Sequence, residues 1–235
     1  MNFDIALTLA PRKSVTIFDT LQALRQAGFE QEINIFAEPD MDSLIEKLVN
    51  SEFKDLHIHI SFEKLGCFKN FNRLLKTMQI LRHEKNLLIF QDDFLIHPKA
   101  KRVLDRADNF ERLGYYCLYT AYGMRNLLRL QKGWSPATAG WHCFGGAYLS
   151  PYSVIDQVVE HKFYKNHLVN YESNKQSDAC YSEVMKLLNL HRLYHNPSLC
   201  KHIGYTSTFG TGFAPEKEPE MLKPLNYDLW NTEQI

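Results

Sequence analysis

The stretch LLIFQDDFLIHP, residues 87–98, decides how this chain is read. Leu87, Leu88, Ile89 and Phe90 have the length and bulk of a buried strand. Asp92 and Asp93 then follow side by side, and apolar residues resume at once. Two carboxylates set among core-forming residues are costly to desolvate unless something compensates them. Oxygen ligands at a strand end suit Mg²⁺ or Mn²⁺, which commonly bridge one or two carboxylates to substrate phosphates. The same pair also reads as a turn with Asp at cap positions.

The sequence before this stretch alternates strand and helix. Residues 3–10, 32–37, 56–60 and 87–90 read as strands, the third by its alternation LHIHI. Residues 15–27 carry Val15, Phe18, Leu21 and Leu24 at helical spacing, and Gly28 supplies a stop. Further helices are expected over 42–50 and 69–83, with Gly66 opening the loop before the latter. Such alternation predicts parallel strands with helices on both faces. Ligands of open α/β sheets bind beyond the carboxyl ends of the strands. Pro11-Arg12 falls at one such end and Asp92-Asp93 at another, so a cation and two carboxylates share one rim.

The second half is less regular. A short helix is expected over 99–107, an aromatic strand over 114–123, a Gly/Trp/Pro loop over 132–146 and a strand over 147–151. Helices follow at 152–161 and 178–189, and PSLCKHIGYTSTFG, 197–210, reads as a loop. We expect one domain over 1–235: a nucleotide-binding half over 1–98, an acceptor and catalytic half over 99–213, and an extended tail over 214–235.

Composition narrows the function. Acids and bases balance at 27 each, which argues against a nucleic-acid binder. Lys99, Lys101, Arg102 and Arg106 read as a solvated helix face. The five Cys (Cys67, Cys117, Cys143, Cys180, Cys200) include no CxxC pair, so neither a disulfide framework nor a Cys-based zinc site is expected. The opening residues read as a strand rather than a signal peptide, and no apolar run approaches the ~20 residues needed to span a bilayer. These features lead us to expect a cytoplasmic protein with no integral membrane segment.

Several positions outside the acidic pair can carry chemistry. His202 sits among Gly, Ser and Thr, where it can turn toward a phosphate or a metal, although a lone His is more often structural. Asp178 stands where a helix N-cap is preferred, and a carboxylate there can also act as a general base. Arg12 can pair with a diphosphate, reach a base or ribose, or remain a surface charge. Gly145 and Gly146 permit a close backbone approach or a tight turn. Trp134, Trp141, Tyr115, Tyr116, Tyr119 and Tyr122 can stack on sugars or fill the core.

The order of these features along the chain resembles the nucleotide-sugar glycosyltransferases of GT-A type. It looks most like small bacterial and viral relatives of the branching N-acetylglucosaminyltransferases. The likeness is carried by LAPRKSVTIFDTLQALRQAGF, by GCFKNFNRLLKTMQI followed by NLLIFQDDF, by GWHCFGGAYLSP, and by SDACYSEVMKLLN followed by NPSLCKHIGYTSTFG. The last fits Pro-Ser-Leu-x-x-His-x-Gly-x-x-Ser. The resemblance implies a GT-A-like, Rossmann-like, mostly parallel sheet flanked by helices. It implies Asp93 and His202 as ligands of Mn²⁺ or Mg²⁺, with Asp92, Gln91, Arg12 and the Gly66 loop on the nucleotide. It implies Asp178 as general base, a UDP-linked sugar-nucleotide donor, a glycan or glycoconjugate acceptor, and inversion at the anomeric carbon. Gln91 departs from the pattern, which often has an acid there. Two other readings stand beside this one: a metal-dependent nucleotidyl or phosphoryl transferase, and a non-catalytic nucleotide- or carbohydrate-binding relic.

Overall fold

The computed structural model describes residues 2–12, 14–107, 112–121, 132–136, 146–170, 177–204 and 224, with the side chains of residues 177 and 178 excepted. Eight strands form the central sheet. They are β1 (Asp4–Leu9), β2 (Ile33–Ala37), β3 (Leu56–Ile60), β4 (Asn86–Gln91), β6 (Leu113–Cys117), β7 (Gly133–Pro136), β8 (Ala147–Pro151) and β9 (His191–Asn196), and their order across the sheet is β3-β2-β1-β4-β8-β6-β9-β7. Two short strands, β5 (Phe94–Ile96) and β10 (Cys200–His202), make a separate ribbon. The helices are α1 (Ile17–Gln26), α2 (Asp42–Val49), α3 (Gly66–Leu81), α4 (Ala100–Asp105), α5 (Tyr152–Glu160), α6 (Lys162–Asn170) and α7 (Ser177–Leu187).

The first four strands of the sheet, β3-β2-β1-β4, are parallel, as expected from their helical crossovers. Their apolar residues are fully buried: Ile5 and Leu7 in β1, Ile33 and Ile35 in β2, Leu87 through Phe90 in β4. Such near-continuous apolar runs are what a strand covered on both faces requires. At β4 the sheet changes character. β8 lies antiparallel to both β4 and β6, while β6 and β9 are parallel. The helices α3, α5, α6 and α7 pack against one another, and α3 also packs on β1 and β2. Tyr115, Tyr148, Tyr181 and Phe71 stack where β6, β8, α7 and α3 meet.

Several expectations are corrected. The helix expected from 69 begins at Gly66, which opens α3 in a left-handed conformation (φ 74°) instead of a loop. The aromatic strand expected over 114–123 ends at Cys117. The loop expected over 132–146 contains β7, and the loop expected over 197–210 contains β10. Strands β5 and β9 and helix α6 had no counterpart in the sequence reading. The four described cysteines, Cys67, Cys117, Cys180 and Cys200, form no disulfide with one another. Among the described residues no helix is long and apolar enough to cross a membrane. Cys143, Trp141, Tyr122, Gly145 and the tail over 214–235, Pro224 excepted, lie outside the described residues.

β4 is the spine of this arrangement, since it joins the parallel half to the mixed half. Phe90, the fifth of its six residues, is fully buried. Phe90→Ala is expected to lower unfolding free energy by about 3–5 kcal/mol in urea titrations, with an unchanged m-value.

Candidate functional site

The acidic turn is the two-residue connection between β4 and β5. Because β1 and β4 are adjacent and parallel, their carboxyl ends emerge side by side. Arg12, three residues past the end of β1, therefore reaches Asp92 and Asp93. Its Nε donates to both Asp92 carboxylate oxygens, at 3.1 Å for Oδ1 and 2.9 Å for Oδ2. Its Nη1 lies 2.8 Å from Asp93 Oδ2. The cation and the two carboxylates expected on one rim are thus in direct contact.

His202 arrives from the other end of the chain. β10 pairs antiparallel with β5, placing His202 opposite Phe94. The ring packs on Phe94, and its Nε2 lies 2.9 Å from Asp93 Oδ2. The Ile203 amide donates to the Asp93 carbonyl at 2.8 Å and extends this ribbon. From the near side, the Asp92 amide donates to the Thr8 carbonyl, and Thr20 Oγ1 of α1 donates to the Asp92 carbonyl at 2.9 Å. The turn is held by backbone and side chains from four elements.

Two glycines make room for it. A Cβ at Gly204 would fall 2.0 Å from Asp93 Oδ2, and one at Gly146 would fall 2.1 Å from Gln91 Cγ. The Gly146 carbonyl also accepts from the Gln91 amide at 2.7 Å. The sequence reading allowed Gly146 a close backbone approach or a tight turn, and gave no role to Gly204 or Thr20. A signal existed for each. Gly204 sits two residues after His202, and Thr20 occupies a position on the apolar stripe Ile17-Leu21-Leu24.

The electrostatics are those of a desolvated acid pair. Asp92 and Asp93 are 2% and 1% exposed. Burial pushes the Asp92 carboxyl up to about 7 despite the Arg12 guanidinium, and the Asp93 charge adds to that push. Burial also raises the Asp93 carboxyl, but the His202 hydrogen bond and charge and the Arg12 charge outweigh it and leave it below the usual range. Burial lowers the Arg12 guanidinium less than the two carboxylates raise it.

Asp93 Oδ1 is buried and has no hydrogen-bond partner. A spare carboxylate oxygen, an imidazole nitrogen 2.9 Å from its twin, and a neighbour without a side chain form a donor set that suits Mn²⁺ or Mg²⁺. No cluster of three or more His, Cys, Asp or Glu suited to a metal occurs among the described residues. A cation here would complete its shell with phosphate and water oxygens, the usual habit of Mg²⁺.

Of the remaining expected site residues, Gly66 begins α3, whose N-terminus has no side-chain cap. Cys67, next to it, lies close enough to Arg12 to interact with its charge. The Asp178 side chain lies outside the described residues. Its helix, α7, is anchored by Tyr181, whose hydroxyl donates to Ser150 Oγ of β8 at 3.0 Å. Trp134 packs on Tyr116 and His195 in the sheet, and Tyr115 and Tyr116 are fully buried, so these aromatics serve the core. Two cavities, of about 710 and 470 Å³, open at the amino ends of β1, β2 and β4, away from the acidic turn.

No protein-family model matches this chain, and no curated protein matches it by sequence. The likeness to known proteins is one of fold. The structure of GalNAc-T7 with UDP, GalNAc and Mn²⁺ matches with a TM-score of 0.58 at 10% identity, over 86% of this chain and 44% of that one. The mannosyltransferase PcManGT of Pyrobaculum calidifontis, with GDP-Man and Mn²⁺, matches with a TM-score of 0.57 at 13% identity, over 87% and 57%. S. aureus TarS 1–349 with UDP-GlcNAc matches with a TM-score of 0.57 at 10% identity, over 90% and 62%. This chain spans about half of the length of those proteins. The fold is thus an α/β fold of GT-A type, with a mostly parallel central sheet and flanking helices.

Removing Arg12 would leave two buried carboxylates without their cation. Arg12→Ala is expected to cost about 3–5 kcal/mol near pH 8. In that variant the Asp92 carboxyl, which burial already raises, loses the cation that holds it down and sits further above its unfolded value of about 4, so stability is lost as pH rises and regained as pH falls. Urea midpoints at pH 5 and pH 8 should show a smaller deficit at pH 5.

Proposed function

We propose that this protein is a metal-dependent glycosyltransferase that moves a sugar from a nucleotide-sugar, most plausibly UDP-linked, to a hydroxyl of a glycan or glycoconjugate. The observation that carries the reading is the buried Asp93 carboxylate. One of its oxygens faces His202 and the other is unpartnered, at the carboxyl rim of a GT-A-type sheet. The UDP, GalNAc and Mn²⁺ of one structure with this fold, and the GDP-Man and Mn²⁺ of another, support the donor class.

In this reading Asp93 and His202 hold Mn²⁺ or Mg²⁺, which supplies positive charge to a departing diphosphate. Arg12 adds a second cation on the same rim. Gln91 and Asp92, with the Gly66 end of α3, orient the nucleoside. Gln91 accepts or donates a hydrogen bond but brings no charge, so the metal relies on Asp93. Asp178 takes the proton of the acceptor hydroxyl as its oxygen bonds to the anomeric carbon. The bond from that carbon to the diphosphate oxygen breaks on the opposite face, which inverts the configuration.

The decisive assay incubates the protein with UDP-sugars, Mn²⁺ and glycan acceptors and follows free UDP. A parallel reaction with nucleoside triphosphates and sugar phosphates follows pyrophosphate. UDP release that needs Mn²⁺ and vanishes in Asp93→Ala is the expected result. Pyrophosphate release instead would assign a nucleotidyltransferase, and saturable UDP binding without turnover a binding relic. Asp178→Asn should lower kcat about 10²–10⁴-fold with little change in donor affinity.

A further inference from the structure

The acidic turn already holds a cation. Arg12 Nε engages both oxygens of Asp92, and its Nη1 lies 2.8 Å from Asp93 Oδ2, the same oxygen that faces His202 Nε2 at 2.9 Å. The Arg12 side chain is 11% exposed, so this contact is largely withdrawn from water. A divalent cation on this carboxylate, whether at Oδ2 or at the unpartnered Oδ1, would therefore sit beside the guanidinium. Counting formal charges, the turn with Arg12 carries one negative charge. A bare divalent cation would reverse this to one positive charge in a desolvated site, next to a guanidinium that cannot be deprotonated. The diphosphate of a sugar-nucleotide carries two negative charges. Entering with the metal, it returns the turn to its starting charge and offers Arg12 a bidentate partner in place of Asp93.

From this geometry we propose that Arg12 is a resident counter-ion that keeps a divalent cation off Asp93 until a diphosphate draws the guanidinium away. The inference rests on the donor reading above and adds an order to it: metal and diphosphate enter together, and the metal does not load first. Arg12 is then a positioning residue with two stations, the carboxylates in the free protein and the diphosphate in the complex. Only the first is required for folding.

The test is direct Mn²⁺ binding, followed by the loss of the free-ion paramagnetic resonance signal, with and without UDP. Wild type should take up Mn²⁺ with UDP and bind it weakly alone. Arg12→Gln should bind Mn²⁺ alone at least about tenfold tighter than wild type, a difference of one decade in Kd, while its affinity for UDP falls. The double variant Arg12→Gln/Asp92→Asn removes one charge of each sign, so it keeps the net charge of the turn and guards against a folding defect. It should also bind Mn²⁺ alone more tightly than wild type, because no guanidinium then lies beside Asp93. Adding Asp93→Ala should abolish binding in every background.

If neither variant binds Mn²⁺ alone more tightly than wild type, or if wild type binds it equally well without UDP, the counter-ion role is overturned and the transferase reading stands. If wild type binds no Mn²⁺ even with a nucleotide diphosphate, both are overturned.

Discussion

Two adjacent carboxylates are buried at the end of a central strand, and the rest of the molecule is arranged so that this is tolerable. Neither Asp92 nor Asp93 reaches solvent to any useful extent. Their charge is met by one guanidinium and one imidazole, drawn from opposite ends of the chain. The sheet order makes this possible. Only because β1 lies directly beside β4 does the residue just past β1 meet the residues just past β4. A different permutation of the same strands would leave the acids uncompensated.

Steric complementarity is as strict as the charge balance. Gly146 and Gly204 flank the turn on either side, and each leaves a space that a methyl group would overfill. One belongs to the approach to β8 and the other to the exit from β10, so the mixed half of the sheet and the separate β5–β10 ribbon both close on the turn. The parallel half supplies the cation and the Thr20 hydroxyl, while the ribbon supplies the imidazole.

The first half of this design is legible in the sequence because its signals are local. Strands β1 to β4 are apolar runs separated by amphipathic helices, and each element declares itself within a dozen residues. The later strands do not. In HRLYHN, β9 buries Arg192, His195 and Asn196; Arg192 donates to Ser182 Oγ of α7, and His195 Nδ1 lies 2.7 Å from the Pro197 carbonyl. Hydropathy alone reads such a segment as loop. Helix α6 buries only Tyr164, too little for an apolar stripe. β10 exists because β5 pairs with it across the fold. The rim position of Arg12 and the acidic pair could be inferred from strand ends, but their direct contact, and the third participant from α1, required the coordinates.

The separation of Asp93 and His202 by 109 positions also orders events in time. A ribosome adding ~5–20 residues per second places the two carboxylates in the nascent chain roughly 5–20 s before the histidine is made. Arg12 is synthesised before either. The parallel half can therefore begin to assemble with Arg12 offsetting one of the two negative charges, before the imidazole is made. Gly146, His202 and Gly204, which close on the turn, are added later.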